Sequence, residues 1–274
     1  MVTDIHYPNQ MTTSTPRTRP ERPLVIEQIP VLADNYVYLL HDSATGATAV
    51  IAPSVAEPVL QVATARGWII THVLNTHHHW DHTGGNEAIK QATGAIVVGA
   101  AADAGRLPGL DTGMRDGDTL AIGSHHATVL AVPGHTRGHI AFWFADDAAL
   151  FPGDTLFSIG CGRLFEGSPE QMWNSLQRLR SLPDSTRVYC AHEYTLSNVK
   201  FACTLDPDNP ALQRRVRAVE ALRQARRSTI PAVLGEEKCA NPFLRADSLA
   251  LQTAVGQTDP VQVFAILRRR KDAF

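Results

Sequence analysis

The stretch Thr76-His77-His78-His79-Trp80-Asp81-His82-Thr83-Gly84-Gly85 contains four histidines and one aspartate within six positions, directly after an apolar run. Imidazoles and a carboxylate crowded together in this way are typical of a metal site, because a cation draws such groups in. His77 and His79 are two positions apart, so in an extended chain their side chains point to the same side. We therefore predict a strand ending near residue 75, a loop in which His77 and His79 face one metal, and a second metal faced by Asp81 and His82. The alternative is a histidine-rich loop that binds metal only adventitiously.

Three other stretches share one pattern, in which a histidine or an aspartate follows shortly after an apolar strand. In α/β sheets, sites form beyond strand ends, where loops meet. Together with the first stretch, the three supply five histidines and two aspartates, which suits two metal ions better than one. The three stretches are Val132-Pro133-Gly134-His135, Phe151-Pro152-Gly153-Asp154 and Tyr189-Cys190-Ala191-His192.

Composition limits the classes of protein to which the chain can belong. Of its 274 residues, 44% are apolar, which is enough for a full core, and the net charge of −2 gives no reason to expect nucleic acid or an anionic membrane as a partner. No apolar run has the length needed to span a bilayer. Four cysteines without C-x-x-C spacing indicate free thiols in a reducing compartment, so we predict a cytoplasmic protein.

The composition and the predicted secondary structure differ among three segments of the chain. Residues 1–23 are polar and rich in Thr, Pro and Arg, without the apolar segment of a secretory signal, and we predict a disordered tail there. Residues 24–194 alternate between short strands and helices, and Ser168 followed by Pro169 predicts the start of one helix. Residues 195–274 show mostly helical patterns, so we predict an α/β domain followed by a smaller helical one.

The order of the candidate ligands, H-x-H-x-D-H and then His, Asp and His, resembles the pattern of the metallo-β-lactamase superfamily. Within it, the chain is most similar to the glyoxalase II (hydroxyacylglutathione hydrolase) family, over about residues 24–274. The stretches that carry this resemblance are Ala33-Asp34-Asn35-Tyr36, Pro133-Gly134-His135-Thr136, Gly153-Asp154-Thr155-Leu156-Phe157, Gly160-Cys161-Gly162-Arg163, Cys190-Ala191-His192-Glu193-Tyr194-Thr195, Asn241-Pro242-Phe243-Leu244-Arg245 and Arg268-Arg269-Arg270-Lys271-Asp272.

The resemblance implies an αββα sandwich with the site at one edge, formed by a catalytic domain at 24–194, and an α-helical substrate-binding domain at 195–274. It implies two divalent metal ions, zinc first, with iron or manganese as alternatives that the same donors accept. The implied partition of ligands gives His77, His79 and His135 to the first ion, Asp81, His82 and His192 to the second, and Asp154 to both.

The resemblance also implies the reaction, which is hydrolysis of glutathione thioesters, such as S-D-lactoylglutathione to D-lactate and glutathione, in methylglyoxal detoxification. A hydroxide that bridges the two ions would attack the thioester carbonyl, and the ions would stabilise the oxyanion. Asp81 would orient the hydroxide. A thiolate leaves without a strong general acid, which agrees with the absence of an obvious one.

For the carboxylates of glutathione, the resemblance implies binding by Arg163, Tyr194, Arg268 and Lys271. The sequence departs from the family pattern where members often have lysine, here Arg163, and where they often have tyrosine, here Phe165. The second departure removes a hydroxyl that would hydrogen-bond the substrate. An alternative interpretation of Arg268 and Lys271 is a basic helix end that faces solvent.

Other functions compete with this one. A persulfide dioxygenase of the same superfamily would use one iron with His79, His135 and Asp154, but the complete set of seven ligands and the helical C-terminal part argue against it. A tRNA-processing nuclease is disfavoured by the net charge, and a metal buffer has no need of a bridging carboxylate. We expect a monomer, and we interpret His125 and His126 as residues of a turn.

Overall fold

The computed structural model describes residues 21–274. Most of the predicted tail, residues 1–20, therefore lies outside the described residues. From residue 24 onward the chain builds two six-stranded sheets and a two-stranded hairpin. The α/β class and the αββα sandwich predicted from the sequence are confirmed.

The first sheet has its strands in sequence order. The first two pairings are antiparallel and the remaining three are parallel. The strands are β1 (Val25–Val31), β2 (Asn35–His41), β3 (Thr48–Ile51), β4 (Ile70–Leu74), β5 (Ile96–Ala100) and β6 (Thr112–Met114).

The second sheet is mixed, with the strand order β14-β13-β10-β9-β8-β7. Its pairs are antiparallel except for β10 with β13. The hairpin β11–β12 stands apart from both sheets. The strands are β7 (Thr119–Ile122), β8 (His125–Ala131), β9 (Ile140–Phe144), β10 (Ala149–Phe151), β11 (Leu156–Phe157), β12 (Gly160–Cys161), β13 (Arg187–Val188) and β14 (Ala232–Val233).

Helices cover the outer faces of both sheets and make up most of the chain after residue 195. Short 3₁₀ turns lie at Ala101–Asp103 and Pro242–Leu244. The α-helices are α1 (Glu57–Arg66), α2 (Trp80–Thr83), α3 (Asn86–Thr93), α4 (Pro169–Arg180), α5 (Thr195–Cys203), α6 (Pro210–Gln224), α7 (Leu234–Ala240), α8 (Leu249–Val255) and α9 (Pro260–Asp272). Within residues 21–274, none of these helices has both the length and the apolarity to cross a bilayer.

Alternation along the strands explains the layers. In β2, Tyr38 and Leu40 face the second sheet, while Val37 and Leu39 pack in the cluster under α1 and α3. Successive side chains of a strand point to opposite faces, so a strand that is apolar at every position must be covered on both sides. The second sheet is covered in the same way by α4 and α9, with Trp173 against Phe264.

The start of α4 follows the sequence prediction. Ser168 accepts a hydrogen bond from the Gln171 backbone, and the Gln171 side chain accepts one from the Ser168 backbone, which forms a capping box. Such a cap is worth about 1 kcal/mol. The interpretation of His125 and His126 as turn residues is wrong, because β8 begins at His125 and that side chain is buried against Asp147.

Strand direction brings the sequence-predicted ligands to one edge of the sandwich. β8, β10 and β13 all run the same way, so the loops that follow them emerge at one end of the second sheet. β4 ends beside them, since the Ile140 backbone N–H bonds to the carbonyl of Thr76 at 2.9 Å. The edge is closed by Asn35, which pairs with His192 in an isolated bridge.

Candidate metal centre

The loop after β4 is extended at first and then turns into α2. His77 and His79 lie in the extended part and face each other, with 3.1 Å between His77 Nε2 and His79 Nδ1. Asp81 and His82 lie on α2, a single turn of helix that the sequence analysis missed. Its turn redirects the chain, and His82 stays close to the first pair, with its ring centroid 4.2 Å from that of His77.

Two glycines allow the loops after β8 and β10 to pack closely against neighbouring residues. Gly134 has a φ of +150° and lies against Met172, where a Cβ atom would come within 2.8 Å of that side chain. Gly153 has a φ of +51°, and a Cβ there would lie 2.5 Å from Thr76 Oγ1. Both positions require a left-handed or closely packed backbone that only glycine adopts easily. The residue after each glycine, His135 or Asp154, is thereby placed at the sheet edge.

A first cluster joins three histidines. His79 Nδ1 lies 3.1 Å from both His77 Nε2 and His135 Nε2. These three ring nitrogens form one of the groups that could hold a metal ion. Zinc bonds to nitrogen of about 2.0–2.1 Å in a tetrahedron require ligand atoms about 3.4 Å apart, close to the spacing seen here.

A second cluster joins Asp81, His82 and His192, which also form a group able to hold an ion. His82 Nε2 lies 3.4 Å from Asp81 Oδ2, and His192 Nε2 lies 3.5 Å from the same oxygen. These separations suit two ligands of one ion better than direct hydrogen bonds.

Asp154 lies between the two clusters. Its Oδ1 is 3.4 Å from His82 Nε2 and 3.5 Å from His192 Nε2, while its Oδ2 is 3.5 Å from His135 Nε2. Each oxygen of the carboxylate therefore faces a different cluster. This is the arrangement expected of a bridging ligand.

Buried polar atoms without partners test whether the residues present fit two ions. Among residues 21–274, His82 Nδ1, His82 Nε2 and Asp154 Oδ1 are buried and have no hydrogen-bond partner. Such orphaned atoms are rare because leaving them unpaired destabilises the fold. Divalent ions would satisfy His82 Nε2 and Asp154 Oδ1, so the residues fit the group that the sequence analysis predicted.

Contacts behind the ligands set the tautomers of two histidines. His135 Nδ1 lies 2.9 Å from the carbonyl oxygen of Arg163, and His192 Nδ1 lies 2.9 Å from Asp34 Oδ1. Both partners are acceptors, so both Nδ1 atoms carry the proton and both Nε2 atoms present a lone pair toward the cavity. Metal-binding histidines are commonly oriented in this way.

Electrostatics differ between the two clusters. Burial holds the pKa of His77 well below its usual range and lowers the pKa of His79 to about 4, with neighbouring histidines adding repulsion. These imidazoles are therefore neutral, as ligands must be. Burial also opposes charge on His82, but Asp154 and Asp81 outweigh it and raise the pKa of His82 to about 9. Positive charge is thus favoured between the two carboxylates, where an ion would supply it.

A cavity of about 600 Å³ opens over the clusters, which is the size of a small-molecule site. His79, Asp81, His135, Asp154 and His192 contribute to its wall. The rest of the wall holds the residues that the resemblance assigned to substrate, together with several neighbours: Arg163, Tyr194, Arg268, Lys271, Trp80, Phe157, Phe165, Ser197 and Asn198.

The four residues expected to bind substrate all line this cavity, but they differ in their contacts and in their exposure to solvent. Tyr194 stacks on His192, with ring centroids 4.7 Å apart and planes 4° from parallel. Lys271 donates to Ser197 Oγ at 2.9 Å, and Arg163 is largely exposed. Arg268 is only 5% exposed, so it is not the solvent-facing helix end of the alternative interpretation.

Phe165, where the family often has tyrosine, lies at the mouth of the cavity. It is 61% exposed and meets the rings of His79 and His135 edge-on, at 5.6 and 5.2 Å between centroids. A phenyl ring can pack against substrate here but cannot donate a hydrogen bond.

Several residues behind the site were not identified as functional from the sequence. Asp34 and Asn35 hold His192 and Asp81, with Asn35 Nδ2 3.3 Å from Asp81 Oδ2. The only sequence signal for them was their place in a stretch that resembled the family. Asp103 and Arg106, which contact His78, had no signal at all.

Comparison with known proteins agrees with this geometry. Residues 42–192 match the family model described as metallo-beta-lactamase superfamily, and residues 193–274 match the one described as hydroxyacylglutathione hydrolase C-terminus. The hydroxyacylglutathione hydrolase of Methylococcus capsulatus is 59% identical over 92% of this chain and 99% of its own length. That of Rhodospirillum rubrum is 61% identical over the same shares.

The chain belongs to the hydroxyacylglutathione hydrolase family. Among solved structures, BLEG-1 B3 metallo-beta-lactamase has a TM-score of 0.62 at 21% identity, covering 80% of this chain and 99% of that one, which supports the fold. The names of the relatives favour a hydrolase over the persulfide dioxygenase. The helices after residue 195 lie within the residues that the C-terminal family model matches.

Proposed function

We propose that the chain hydrolyses glutathione thioesters, converting S-D-lactoylglutathione to D-lactate and glutathione. The observation that carries the proposal is that Asp154 lies between two ligand clusters at the wall of a cavity that also contains Arg163, Arg268 and Lys271. The same cavity thus offers a site for two cations and a set of positive side chains. A thioester of glutathione needs both, because it carries a reactive carbonyl and two carboxylates.

We propose that His77, His79 and His135 hold one divalent ion, that Asp81, His82 and His192 hold the other, and that Asp154 contacts both. Nitrogen and oxygen donors of this kind accept zinc, iron or manganese, and zinc is our first choice. When bound, such ions would supply Lewis acidity and lower the pKa of water from about 15.7 to about 7, so that hydroxide is available at neutral pH.

The protein's own groups orient the reactants. Asp81 lines the cavity, and its Oδ2 is occupied by Asn35 and the two histidines. Its Oδ1, which has no partner among residues 21–274, would accept a hydrogen bond from the attacking water and so direct a lone pair at the carbonyl carbon. Attack breaks the C–S bond and releases a thiolate, whose ordinary pKa of about 8.5 makes protonation by a strong acid unnecessary.

Positive side chains would bind the glutathione part. Lys271 and Arg163 line the cavity, and Tyr194 lies beside them, stacked on His192. Carboxylates bind such groups through charge-assisted hydrogen bonds. Arg268 would contribute charge and hold the adjacent loop, since one of its nitrogens donates to the carbonyl of Cys161 at 2.8 Å.

The cysteines of the chain bear on the compartment in which it acts. Cys161, Cys190, Cys203 and Cys239 are all free thiols, which is typical of a reducing compartment. Glutathione thioesters belong in such a compartment, so we propose that the chain acts in the cytoplasm, as a monomer and without nucleic acid.

A thioester assay tests the function. Purified protein loaded with zinc should release thiol from S-D-lactoylglutathione, chelation should abolish the release, and added zinc should restore it. His192→Ala should lose activity while keeping the fold, as judged by circular dichroism. If the zinc-loaded protein releases no thiol, the proposed function is wrong.

A further inference from the structure

A charged network contacts the two loops that carry the first histidine cluster. Its hub is Arg106, which lies between two carboxylates. Arg106 Nη2 is 2.5 Å from Asp103 Oδ1, and Arg106 Nη1 is 2.5 Å from Glu166 Oε1. The Asp103 side chain is fully buried, and Glu166 is about one-fifth exposed.

The network touches the loop that carries two ligands. His78, between His77 and His79, lies with its Nδ1 3.3 Å from Asp103 Oδ2 and its Nε2 3.3 Å from Arg106 Nη1. Arg106 can only donate, so His78 Nε2 accepts and His78 Nδ1 donates to the aspartate. The backbone between the two ligands is therefore held by one side chain with both of its nitrogens engaged.

The same network touches the loop that carries the third ligand, His135. Glu166 Oε2 accepts a hydrogen bond from the backbone N–H of Arg137 at 2.8 Å. Asp103 packs directly on Gly138, where a Cβ atom would lie 2.2 Å from Asp103 Oδ1. Arg106 thus links, through two carboxylates, both of the chain segments that supply His77, His79 and His135.

The second cluster is held by different groups. His192 is oriented by Asp34, and Asp81 by Asn35, both from the turn between β1 and β2. Neither Asp34 nor Asn35 has a hydrogen bond or ion pair with Arg106, Asp103 or Glu166. The side chains that contact the second cluster from behind are therefore different from those of the Arg106 network.

We propose that Arg106 is a positioning residue for one of the two metal sites, because it holds the His77–His79 loop and the His135 loop in the geometry that binds the ion. This inference rests on the metal-binding role proposed above. It gives a role to Arg106, Asp103 and Glu166, none of which belongs to the set of seven candidate metal ligands. Its consequence is that damage to the network weakens one metal equivalent and spares the other.

Zinc titration against a chromophoric chelator tests the proposal without substrate. Arg106→Lys keeps the charge but removes the planar fork that spans two carboxylates. We expect it to lower the affinity of one zinc equivalent about 10–100-fold, the usual effect of losing a partner behind a ligand. The other equivalent should bind as in the wild type, and Glu166→Gln should act in the same direction.

Two further variants serve as controls. Arg180→Ala removes an arginine of similar exposure that pairs with Asp247 away from the centre, and it should leave both equivalents unchanged. Asp34→Ala should weaken one equivalent only, and the double variant of Arg106→Lys with Asp34→Ala should weaken both. Melting of the metal-free proteins reports separately on folding, since Arg106→Lys weakens the pairing of the buried Asp103 with its cation.

The outcomes separate this inference from the function on which it rests. If the wild type binds two zinc equivalents and Arg106→Lys binds both as tightly, or weakens both equally, the positioning role is wrong and the function stands. The role is also wrong if the double variant weakens only one equivalent. A wild type that binds no zinc refutes the metal centre and the inference together.

Discussion

Arg268 donates from Nε and Nη2 to one carboxylate oxygen of Asp272, four residues further along α9, at 3.1 and 2.8 Å. The same oxygen lies 3.7 Å from Arg163 Nε. Two of the positive side chains that line the cavity therefore already face one carboxylate, and a substrate carboxylate would share these donors with it.

The first prediction concerns this competition. Asp272→Asn keeps an oxygen acceptor for Arg268 but removes the negative charge, so more of the positive field is available to glutathione. We expect KM for S-D-lactoylglutathione to fall about threefold, with kcat little changed, because charge-assisted pairs at a partly exposed site are worth about 0.2–1 kcal/mol. Steady-state kinetics at low salt measure it. A rise in KM would mean that Asp272 orients Arg268 rather than competing with substrate.

The second prediction concerns the cations themselves. Arg268→Ala and Lys271→Ala should each raise KM about 10–100-fold and lower kcat far less, because hydrogen bonds to charged groups contribute about 1.5–3 kcal/mol and these act on a part of the substrate remote from the reacting carbon. Arg270→Ala, on the exposed side of the same helix turn, is the matched control and should leave KM as it is. An unchanged KM in the first two variants rejects the binding role.

The third prediction concerns pH. Burial, with repulsion from Arg268 and Arg163, lowers the pKa of Lys271 to about 8. The protonated form binds carboxylate, so KM should be steady below pH 7 and rise as the pH passes through 8 toward 9. Lys271→Arg, which stays charged over this range, should flatten the rise. The comparison is a pair of KM–pH profiles, and parallel profiles would show that another group causes the change.

The fourth prediction concerns removal of the metal. Binding of an ion by the folded state alone stabilises it by about 4.1 kcal/mol at a free concentration 1,000 times the Kd. Chelation should therefore lower Tm by several degrees, and zinc should restore it. Asp154→Asn should bind fewer equivalents and show a smaller shift, because its carboxylate faces both clusters. Differential scanning calorimetry with metal analysis on one sample measures both. An equal shift in the variant would contradict the bridging position.

Much of the candidate site could be predicted from the sequence, because its candidate ligands are marked by a local pattern. The i, i+2 spacing of His77 and His79 indicates one shared face in an extended loop, and the structure places their nitrogens 3.1 Å apart. The residues behind the ligands carry no such mark. Arg106 and Glu166 are 60 positions apart and look like ordinary surface charges until folding brings them together.

Some local structure was also out of reach. The single helical turn of α2 has four residues, too few for a periodic pattern, and it forms where the loop folds back over the ligands. The histidine pair at 125 and 126 looks like a turn because it follows Gly-Ser, yet His125 is buried as the first residue of β8. The partner of His125, Asp147, lies in the turn between β9 and β10.

The sequence by itself predicted an α/β domain followed by helices and the kinds of donor at the site, because hydrophobic alternation and ligand spacing are properties of short segments. The αββα sandwich was implied by the family resemblance that those donors carry. Only the tertiary structure decided that Asp154 lies between two clusters, that Arg268 is buried against Cys161, and that Arg106 pairs with both Asp103 and Glu166. These relationships join segments that are distant in the chain. They depend on how the sheets and helices pack, and no single segment contains that information.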